Sequence, residues 1–278
     1  MQIWEAIVLG VVEGVTEFLP VSSTGHLTIT EKLMDIPIDD KGVTAFTAVI
    51  QVGAIIAAII YFRTDIVRFI AALFRGLRSA EARRHHDFTM GIGIIIGSIP
   101  IAVIGLVFKD LIEGALRSLW FVAGALVLWS LVMVFAEYRG RQQRREGEVT
   151  WKDALIIGLA QCIALVPGVS RSGATISAGL LRNFDRVTAT RLSFFLGIPA
   201  LAAAGLLEGV QRSSEIAETV GWVPTAVGTV ISFIVAYISI AWLLKFVATN
   251  TFAAFVYYRV AVGGIIIALL WTGAIYAT

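Results

Sequence analysis

The sequence predicts an all-α polytopic membrane protein with six transmembrane helices and two re-entrant helical hairpins, arranged as an inverted repeat. Three observations support this fold class: the hydropathy of the chain, the charge of its loops, and a segment that occurs twice. Of the 278 residues, 58% are hydrophobic and only 15% are charged, and the mean hydropathy is +0.84. These values lie outside the range of soluble globular domains. The apolar runs are continuous and rich in small residues, unlike the alternating strands of a membrane β-barrel.

Six apolar stretches are long enough to cross a bilayer as helices, because one crossing takes about 20 predominantly apolar residues. They cover, approximately, residues 44–62, 90–108, 118–136, 190–207, 222–244 and 253–275.

The loops between these stretches differ in charge. Two loops are rich in arginine, from Arg63 to Asp87 and from Arg139 to Lys152, and the positive-inside rule places both in the cytoplasm. Two other loops are rich in carboxylates, and we expect them outside; their acidic residues are Asp39, Asp40, Glu208, Glu215 and Glu218. With these assignments the six stretches alternate in direction without conflict.

Two further segments then begin and end on the same side of the membrane. Residues 3–36 have both ends outside, and residues 152–186 have both ends inside. Each contains an apolar run that is broken by proline, glycine and hydroxyl residues, which is typical of a helix interrupted at depth. Irregular backbone at that depth is tolerated only where it is buried in protein or lines a wet cavity. We therefore predict two re-entrant hairpins that enter from opposite faces and meet near the midplane.

The two broken segments are variants of one sequence. GVVEGVTEFLPVSSTGHL at residues 10–27 aligns without gaps with GLAQCIALVPGVSRSGAT at residues 158–175. The alignment pairs Gly10 with Gly158, Glu13 with Gln161, Val21 with Val169, Ser22 with Ser170 and Gly25 with Gly173. Within a single domain, 1–278, the halves of about 1–139 and 140–278 would each be a hairpin followed by three spans. Inverted repeats of this kind place their site at the repeat interface.

Two carboxylates in the first segment point to a metal ion. Glu13 and Glu17 are four residues apart, so both lie on one face of a helix. Adjacent carboxylates in apolar surroundings resist ionisation, and a divalent cation relieves that difficulty. Oxygen ligands suit Mg²⁺ or Ca²⁺, which commonly join carboxylates to phosphates. The alternative is that one glutamate pairs locally while the other lines a water-filled cavity.

Hydroxyls and an imidazole follow, at the expected start of a second short helix. A helix N-terminus binds anions through its free N–H groups and its dipole, so we expect phosphate contacts here, although at least one hydroxyl should only cap the helix. His26 is a candidate proton carrier, with a plain structural hydrogen bond as the alternative. The residues in question are Ser22, Ser23, Thr24, Gly25 and His26.

The second segment places Arg171 among glycines and hydroxyls. A guanidinium binds phosphate oxygens in a bidentate way, and inside a membrane it needs a partner. We expect that partner to be an anionic ligand, with a permanent ion pair to Glu13 or Glu17 as the alternative. The neighbours expected to contact phosphate are Gly168, Ser170, Ser172, Gly173 and Thr175, and Gln51 is a lesser candidate for lining the same site.

Two isolated residues are expected to take no part in the reaction. Arg259, about seven residues into the last apolar stretch, should extend along its helix to cytoplasmic water. Cys162 is the single cysteine, so it cannot form an intrachain disulfide and should be a small packing residue.

Both motifs resemble those of a known family, the bacterial undecaprenyl-pyrophosphate phosphatases of the BacA/UppP type, which confer bacitracin resistance when abundant. The family signatures EGxTEFLPVSSTGH and PGxSRSGxT match Glu13 to His26 and Pro167 to Thr175 without departure. The resemblance in length, span pattern and motifs covers essentially the whole chain.

The resemblance implies that the chain removes the terminal phosphate of undecaprenyl pyrophosphate, which recycles the lipid carrier for cell-wall synthesis. It further implies a divalent metal at Glu13 and Glu17, Ser23 as the candidate nucleophile and Arg171 on the phosphates. The active site would open to the outer face of a bacterial plasma membrane. The charge of the loops agrees, since it places the hairpin that carries Glu13, Glu17, Ser23 and His26 on the outer side.

A polyprenyl-phosphate transporter on the same scaffold is the rival interpretation, because broken helices in inverted repeats are typical of transporters. The difference between the two loops favours an enzyme, since only the first carries carboxylates and a histidine. The partners expected are a polyprenyl pyrophosphate lipid and the membrane, with no nucleic acid. The sequence leaves open whether the chain forms a homodimer.

Overall fold

The structure is a computed structural model that describes residues 1–38, 40–108 and 118–276. The described parts of the chain are helical. The longer helices are α1 Ile3–Thr16, α2 Ser23–Leu33, α3 Lys41–Tyr61, α4 Arg63–Arg78, α5 His86–Val107, α6 Leu119–Arg139, α7 Trp151–Gln161, α8 Arg171–Leu181, α9 Arg186–Gln211, α10 Trp222–Val247 and α11 Ala253–Trp271.

Six of these helices, α3, α5, α6, α9, α10 and α11, are long and apolar enough to cross a membrane. Each coincides with one of the six apolar stretches, so the prediction of an all-α chain with six candidate spans is confirmed. Of the acidic residues assigned to the outer side, Asp39 lies outside the described residues.

Side-chain caps explain where several helices begin. The Asp40 carboxylate accepts a hydrogen bond from the Val43 N–H at 2.9 Å, and the Asp185 carboxylate accepts one from the Thr188 N–H at 2.8 Å. Each bond satisfies one of the N–H groups that have no partner within the helix. These caps fix the starts of α3 and α9, the two long helices that follow the broken segments.

The two broken segments each form a pair of short helices. Residues 17–22 separate α1 from α2, and residues 162–170, which include the 3₁₀ helix Cys162–Leu165, separate α7 from α8. The four helices have 14, 11, 11 and 11 residues. At 1.5 Å per residue none of them is long enough to cross a bilayer of about 30 Å.

Each broken segment packs on a long helix from the other half of the chain. α1 lies along α10, and α7 lies along α5. The crossing points are Gly10 and Gly158, the glycines that the repeat aligns with each other. A Cβ atom at Gly10 would lie 2.6 Å from the Gly228 carbonyl oxygen, and one at Gly158 would lie 2.0 Å from that of Gly97. Only glycine allows backbones to approach this closely.

A buried ion cluster joins the two outer ends of the second broken segment, at the start of α7 and just after α8. The Asp153 carboxylate, at the start of α7, is fully buried and accepts hydrogen bonds from Arg144 at 2.7 and 3.0 Å and from Arg182 at 2.8 Å. Arg144 lies in the loop before α7, and Arg182 directly follows α8. The cluster therefore ties both short helices to the preceding arginine-rich loop.

Candidate active site

Both broken segments line one cavity of about 280 Å³. Glu13 comes from α1, Ser23 and Thr24 from the start of α2, and Gln51 from the middle of α3. Pro167 comes from the second segment. The other lining residues described are Leu27, Thr28, Glu31, Thr44, Thr47, Ala48, Ala164, Leu165 and Leu201. The cavity thus combines carboxylates and hydroxyls on one side with apolar residues on the other.

The Glu17 carboxylate joins three polar side chains beside this cavity. Its Oε2 accepts hydrogen bonds from Ser23 Oγ at 2.7 Å and from Gln51 Nε2 at 3.1 Å. Its Oε1 accepts one from Arg171 Nη2 at 3.2 Å. Glu17 is buried, and its three donors come from three different helices, α2, α3 and α8. The ion pair with Arg171 is the alternative partnership that the sequence left open.

Glu13 lies one turn before Glu17 and is fully buried. Neither of its carboxylate oxygens has a hydrogen-bond partner among the described residues. Its carboxyl group is close enough to Glu17, Arg171 and Gln51 to interact with each electrostatically. Burying a carboxylate without a partner costs free energy, so we expect a cation or a proton to accompany Glu13. Gln161, its counterpart in the repeat, is equally buried but carries no charge.

The donor set of this site fits a divalent cation that shares its ligands with a phosphate. Within the described parts of the chain, no group of three or more His, Cys, Asp or Glu side chains could hold a metal ion by itself. The two carboxylates of Glu13 and Glu17 would thus supply some of the oxygen ligands and leave the remaining positions to phosphate and water. That pattern is common for Mg²⁺.

Helices α2 and α8 begin with the same turn. Ser22 and Ser170 both have φ of 77°, in the left-handed region, although neither is glycine. Ser22 Oγ accepts a hydrogen bond from the Gly25 N–H at 3.4 Å, and Ser170 Oγ accepts one from the Gly173 N–H at 3.1 Å. Ser22 is therefore the capping hydroxyl expected in the first motif. Backbone of this kind costs about 1–3 kcal/mol per residue and persists only where the surroundings enforce it.

The other hydroxyls of the second motif already have protein partners. Ser172 Oγ donates to the Leu19 carbonyl oxygen at 2.9 Å, which joins the two broken segments directly. Thr175 Oγ1 donates to Ser193 Oγ on α9 at 2.7 Å. Ser170, Ser172, Gly173 and Thr175 are buried and do not belong to the described lining of the cavity. In this structure these residues shape the loop, and their contacts with phosphate stay a prediction.

Arg171 is held so that part of its guanidinium stays available. Nη1 donates to the Ser193 carbonyl oxygen at 2.8 Å and Nη2 to Glu17, whereas Nε has no partner among the described residues. The side chain lies directly against Gly197 of α9, where a Cβ atom would be 2.1 Å from Nη1. Gly197 therefore makes the room for the guanidinium, a role that the sequence did not reveal.

His26 is not in contact with Ser23. Its Nδ1 lies 2.8 Å from the Ser22 carbonyl oxygen, and its Nε2 lies 2.7 Å from the hydroxyl of Tyr258, on which the ring stacks. Because a carbonyl only accepts, Nδ1 carries a proton and donates it to Ser22, and Nε2 shares a hydrogen bond with the Tyr258 hydroxyl. Both ring nitrogens are thus engaged, and Glu17 is the group positioned to take a proton from Ser23.

The expectation that Arg259 extends to cytoplasmic water is wrong. The side chain is 0% exposed and donates to the carbonyl oxygens of Pro20 and Gly168, one in each broken segment. It turns inward because those carbonyls offer it acceptors inside the bundle. Gly168 has φ of +96° and packs against Val122 and Ala125 of α6, and it does not belong to the described lining of the cavity.

Known proteins resemble the chain over its whole length. The family described as Bacitracin resistance protein BacA matches residues 6–265. A protein of Frankia casuarinae named undecaprenyl-diphosphatase 3 is 58% identical over 278 residues, which is 100% of both chains. Undecaprenyl-diphosphatases of Cutibacterium acnes and Mycolicibacterium smegmatis are 58% and 48% identical, each over 98% of both chains. Matches of this extent and identity show that the chain belongs to the family of the bacitracin resistance protein BacA.

Proposed function

We propose that the protein is an undecaprenyl-diphosphatase of the bacterial plasma membrane. It removes the terminal phosphate of undecaprenyl pyrophosphate and releases undecaprenyl phosphate and inorganic phosphate. The names of the relatives support this substrate, and the family supports a link to bacitracin resistance. The observation that carries the chemistry is the hydrogen bond of 2.7 Å from Ser23 Oγ to Glu17 Oε2 in a cavity shared by both motifs.

In the first step Ser23 Oγ attacks the terminal phosphorus while its proton passes to Glu17. The Oγ–P bond forms, the bond from that phosphorus to the bridging oxygen breaks, and undecaprenyl phosphate leaves with that oxygen. A water molecule then attacks the phosphoserine, inorganic phosphate leaves, and Ser23 regains its proton. Direct attack by water, with Glu17 as the base, is the alternative route that leaves Ser23 unmodified.

Arg171 stabilises the charge that develops on the transferred phosphoryl group. Its free Nε and one Nη can bind two phosphate oxygens together once the substrate competes with Glu17 for the guanidinium. The first N–H groups of α2, at Ser23 and Thr24, have no partner within their helix and point toward the same charge. Ser22 and Gly25 shape this turn, and Gln51 orients Glu17 from α3.

Glu13 and Glu17 are the residues that would hold Mg²⁺ or Ca²⁺. When bound, the cation neutralises negative charge on the phosphates. Both carboxylate oxygens of Glu13 are without a hydrogen bond among the described residues, whereas Glu17 already accepts three, so Glu13 is the ligand more readily available to the cation.

The proposed topology has two re-entrant hairpins, one from each of two inverted halves, about 1–139 and 140–278, in a single domain. Three observations support this topology. The four helices are short, and the turns at Ser22 and Ser170 have the same backbone conformation. Each broken segment also packs on a helix of the other half, α1 on α10 and α7 on α5. The carboxylate-rich loops support a site that opens to the outer side of the membrane.

The test is phosphate release by the purified protein in detergent, with undecaprenyl pyrophosphate as substrate. We expect release that needs Mg²⁺ or Ca²⁺, stops with a chelator and is lost in the Glu17→Gln variant. Absence of release at saturating substrate and metal, by a monodisperse protein, would overturn the proposal. In that case, movement of labelled undecaprenyl phosphate between vesicle leaflets would instead support the transporter.

A further inference from the structure

Arg259 occupies an unusual position for an arginine in a membrane helix. It lies on α11, which contributes to neither motif, and its side chain is completely buried. Nη1 donates to the Pro20 carbonyl oxygen at 3.3 Å, and Nη2 donates to that of Gly168 at 3.0 Å. The remaining bonds go to α6, at the carbonyl oxygens of Ala125 and Leu126 and at Ser130 Oγ.

No carboxylate forms an ion pair with Arg259 among the described residues. A buried guanidinium without a counter-ion needs hydrogen-bond acceptors, and here each of its three nitrogens donates, to four backbone carbonyls and the Ser130 hydroxyl. Most of the hydrogen bonds of Arg259 therefore go to backbone carbonyls, and none goes to a carboxylate among the described residues. Because two of these carbonyls belong to the two broken segments, this arrangement favours a role for Arg259 where the segments meet.

The two loop carbonyls are equivalent positions of the repeat. Pro20 and Gly168 are separated by the same 148 positions that align Ser22 with Ser170. Each carbonyl lies three residues before the first residue of a short helix, Ser23 of α2 and Arg171 of α8. One guanidinium thus holds the same point in both turns.

We propose that Arg259 is a positioning residue for the reaction, and that it sets the distance between Ser23 and Arg171. The inference rests on the proposed phosphatase function and deepens it. Ser23 must attack the phosphorus whose oxygens Arg171 binds, so the two turns must keep a fixed separation. The Ser172–Leu19 hydrogen bond and the Arg171–Glu17 ion pair also join the two segments, and Arg259 supplies the bridge between the turns themselves.

The chemistry of the side chain explains why arginine is needed. The planar guanidinium presents donors at fixed angles, so Nη1 and Nη2 reach different carbonyls at once. A lysine ammonium offers a point charge and could keep only part of this arrangement. A methionine has similar bulk and keeps none of it.

The experiment compares Arg259→Lys and Arg259→Met with wild type by steady-state phosphate release from undecaprenyl pyrophosphate. Only monodisperse protein is assayed, so that misfolded material does not enter the rates. Ser130→Ala is the matched control, because it removes one partner of Arg259 and leaves both loop carbonyls bound. Misplacement by about 1 Å costs on the order of 100-fold in rate, which is the loss in kcat expected for Arg259→Met.

We expect KM to change less than kcat in Arg259→Met, because Arg259 does not touch the substrate. Arg259→Lys should recover part of the lost kcat, and Ser130→Ala should keep most of it. Wild-type kcat in the folded Arg259→Met protein would overturn the inference. So would a loss in Ser130→Ala as large as in Arg259→Met, because that would indicate general destabilisation. If the wild-type protein itself releases no phosphate, the result contradicts the proposed function and not the positioning role of Arg259.

Discussion

Ser23 Oγ donates a hydrogen bond of 2.7 Å to Glu17 Oε2, although the two residues lie on opposite sides of the break between α1 and α2. The interruption of the helix brings a hydroxyl next to a carboxylate that a continuous helix would place away from it. The same carboxylate binds Arg171 from the second half. One side chain therefore connects the proposed nucleophile with the proposed phosphate ligand.

Replacing Ser23 tests the covalent route. Ser23→Ala removes the attacking oxygen, and we expect kcat to fall by at least about 100-fold, since loss of a nucleophile removes an interaction made in the chemical step. Thr24→Ala is the control, because Thr24 also lines the cavity but has no hydrogen bond to Glu17. Full turnover by Ser23→Ala would eliminate the phosphoserine and leave direct attack by water.

Replacing Arg171 by lysine tests bidentate binding of phosphate. Arg171→Lys keeps the charge but loses the planar fork, so we expect kcat/KM to fall about 100-fold, equivalent to about 2.7 kcal/mol of transition-state stabilisation. Arg182→Lys, which alters the buried ion cluster at Asp153, is the control for a charge-conserving change. Near-normal kinetics in Arg171→Lys would rule out the bidentate contact.

Replacing Glu13 by glutamine tests the cation. Glu13→Gln keeps the size of the side chain and removes the buried charge, so we expect weaker binding of Mg²⁺ or Ca²⁺. The measurement is the rise in thermal unfolding temperature on metal addition, which does not depend on turnover; binding to the folded state raises that temperature. We expect the rise seen in wild type to be much reduced in Glu13→Gln. An unchanged rise would mean that the cation binds elsewhere.

Adding a methyl group at Gly197 tests the placement of Arg171 without changing any motif residue. The new Cβ atom would lie 2.1 Å from Arg171 Nη1 and 2.6 Å from Cζ, so the guanidinium must move. A shift of about 1 Å at a reacting site costs on the order of 100-fold, and we expect Gly197→Ala to lose activity on that scale.

Gly124→Ala is the matched control for this change. Gly124 also lies in a long apolar helix, α6, and no atom lies within 4 Å of the place that its Cβ would occupy. We expect this control to keep wild-type phosphate release. Equal activity of the Gly197→Ala and Gly124→Ala proteins would contradict the position of Arg171 described above.

Hydropathy was sufficient to predict the six candidate spans, because long apolar runs are a local property of the sequence. The repeat also indicated which two segments would meet, and Glu13 and Ser23 of the first do line one cavity with Pro167 of the second. The direction of individual side chains depends on tertiary contacts that no local pattern contains. Arg259 illustrates this, since its depth in a span suggested an exit to water and only the carbonyls of remote loops explain its burial.

The second motif shows the same limit in another form. Its hydroxyls resemble phosphate ligands in sequence, and the structure shows protein partners that the sequence did not indicate: Ser172 donates to Leu19 and Thr175 to Ser193. A hydroxyl can cap, bridge or bind a ligand, and only its neighbours decide which. The role of Gly197 became evident only from its position beside the guanidinium of Arg171.

The bond from Arg259 to Pro20 spans 239 positions of the chain, and this has a consequence for biosynthesis. The ribosome has made both motifs long before it makes the helix that bridges them. During insertion into the membrane both turns therefore lack the Arg259 guanidinium that bonds to them in the folded protein. If Arg259 positions the two turns as proposed, a truncation that removes α11 should abolish activity although both motifs are still present.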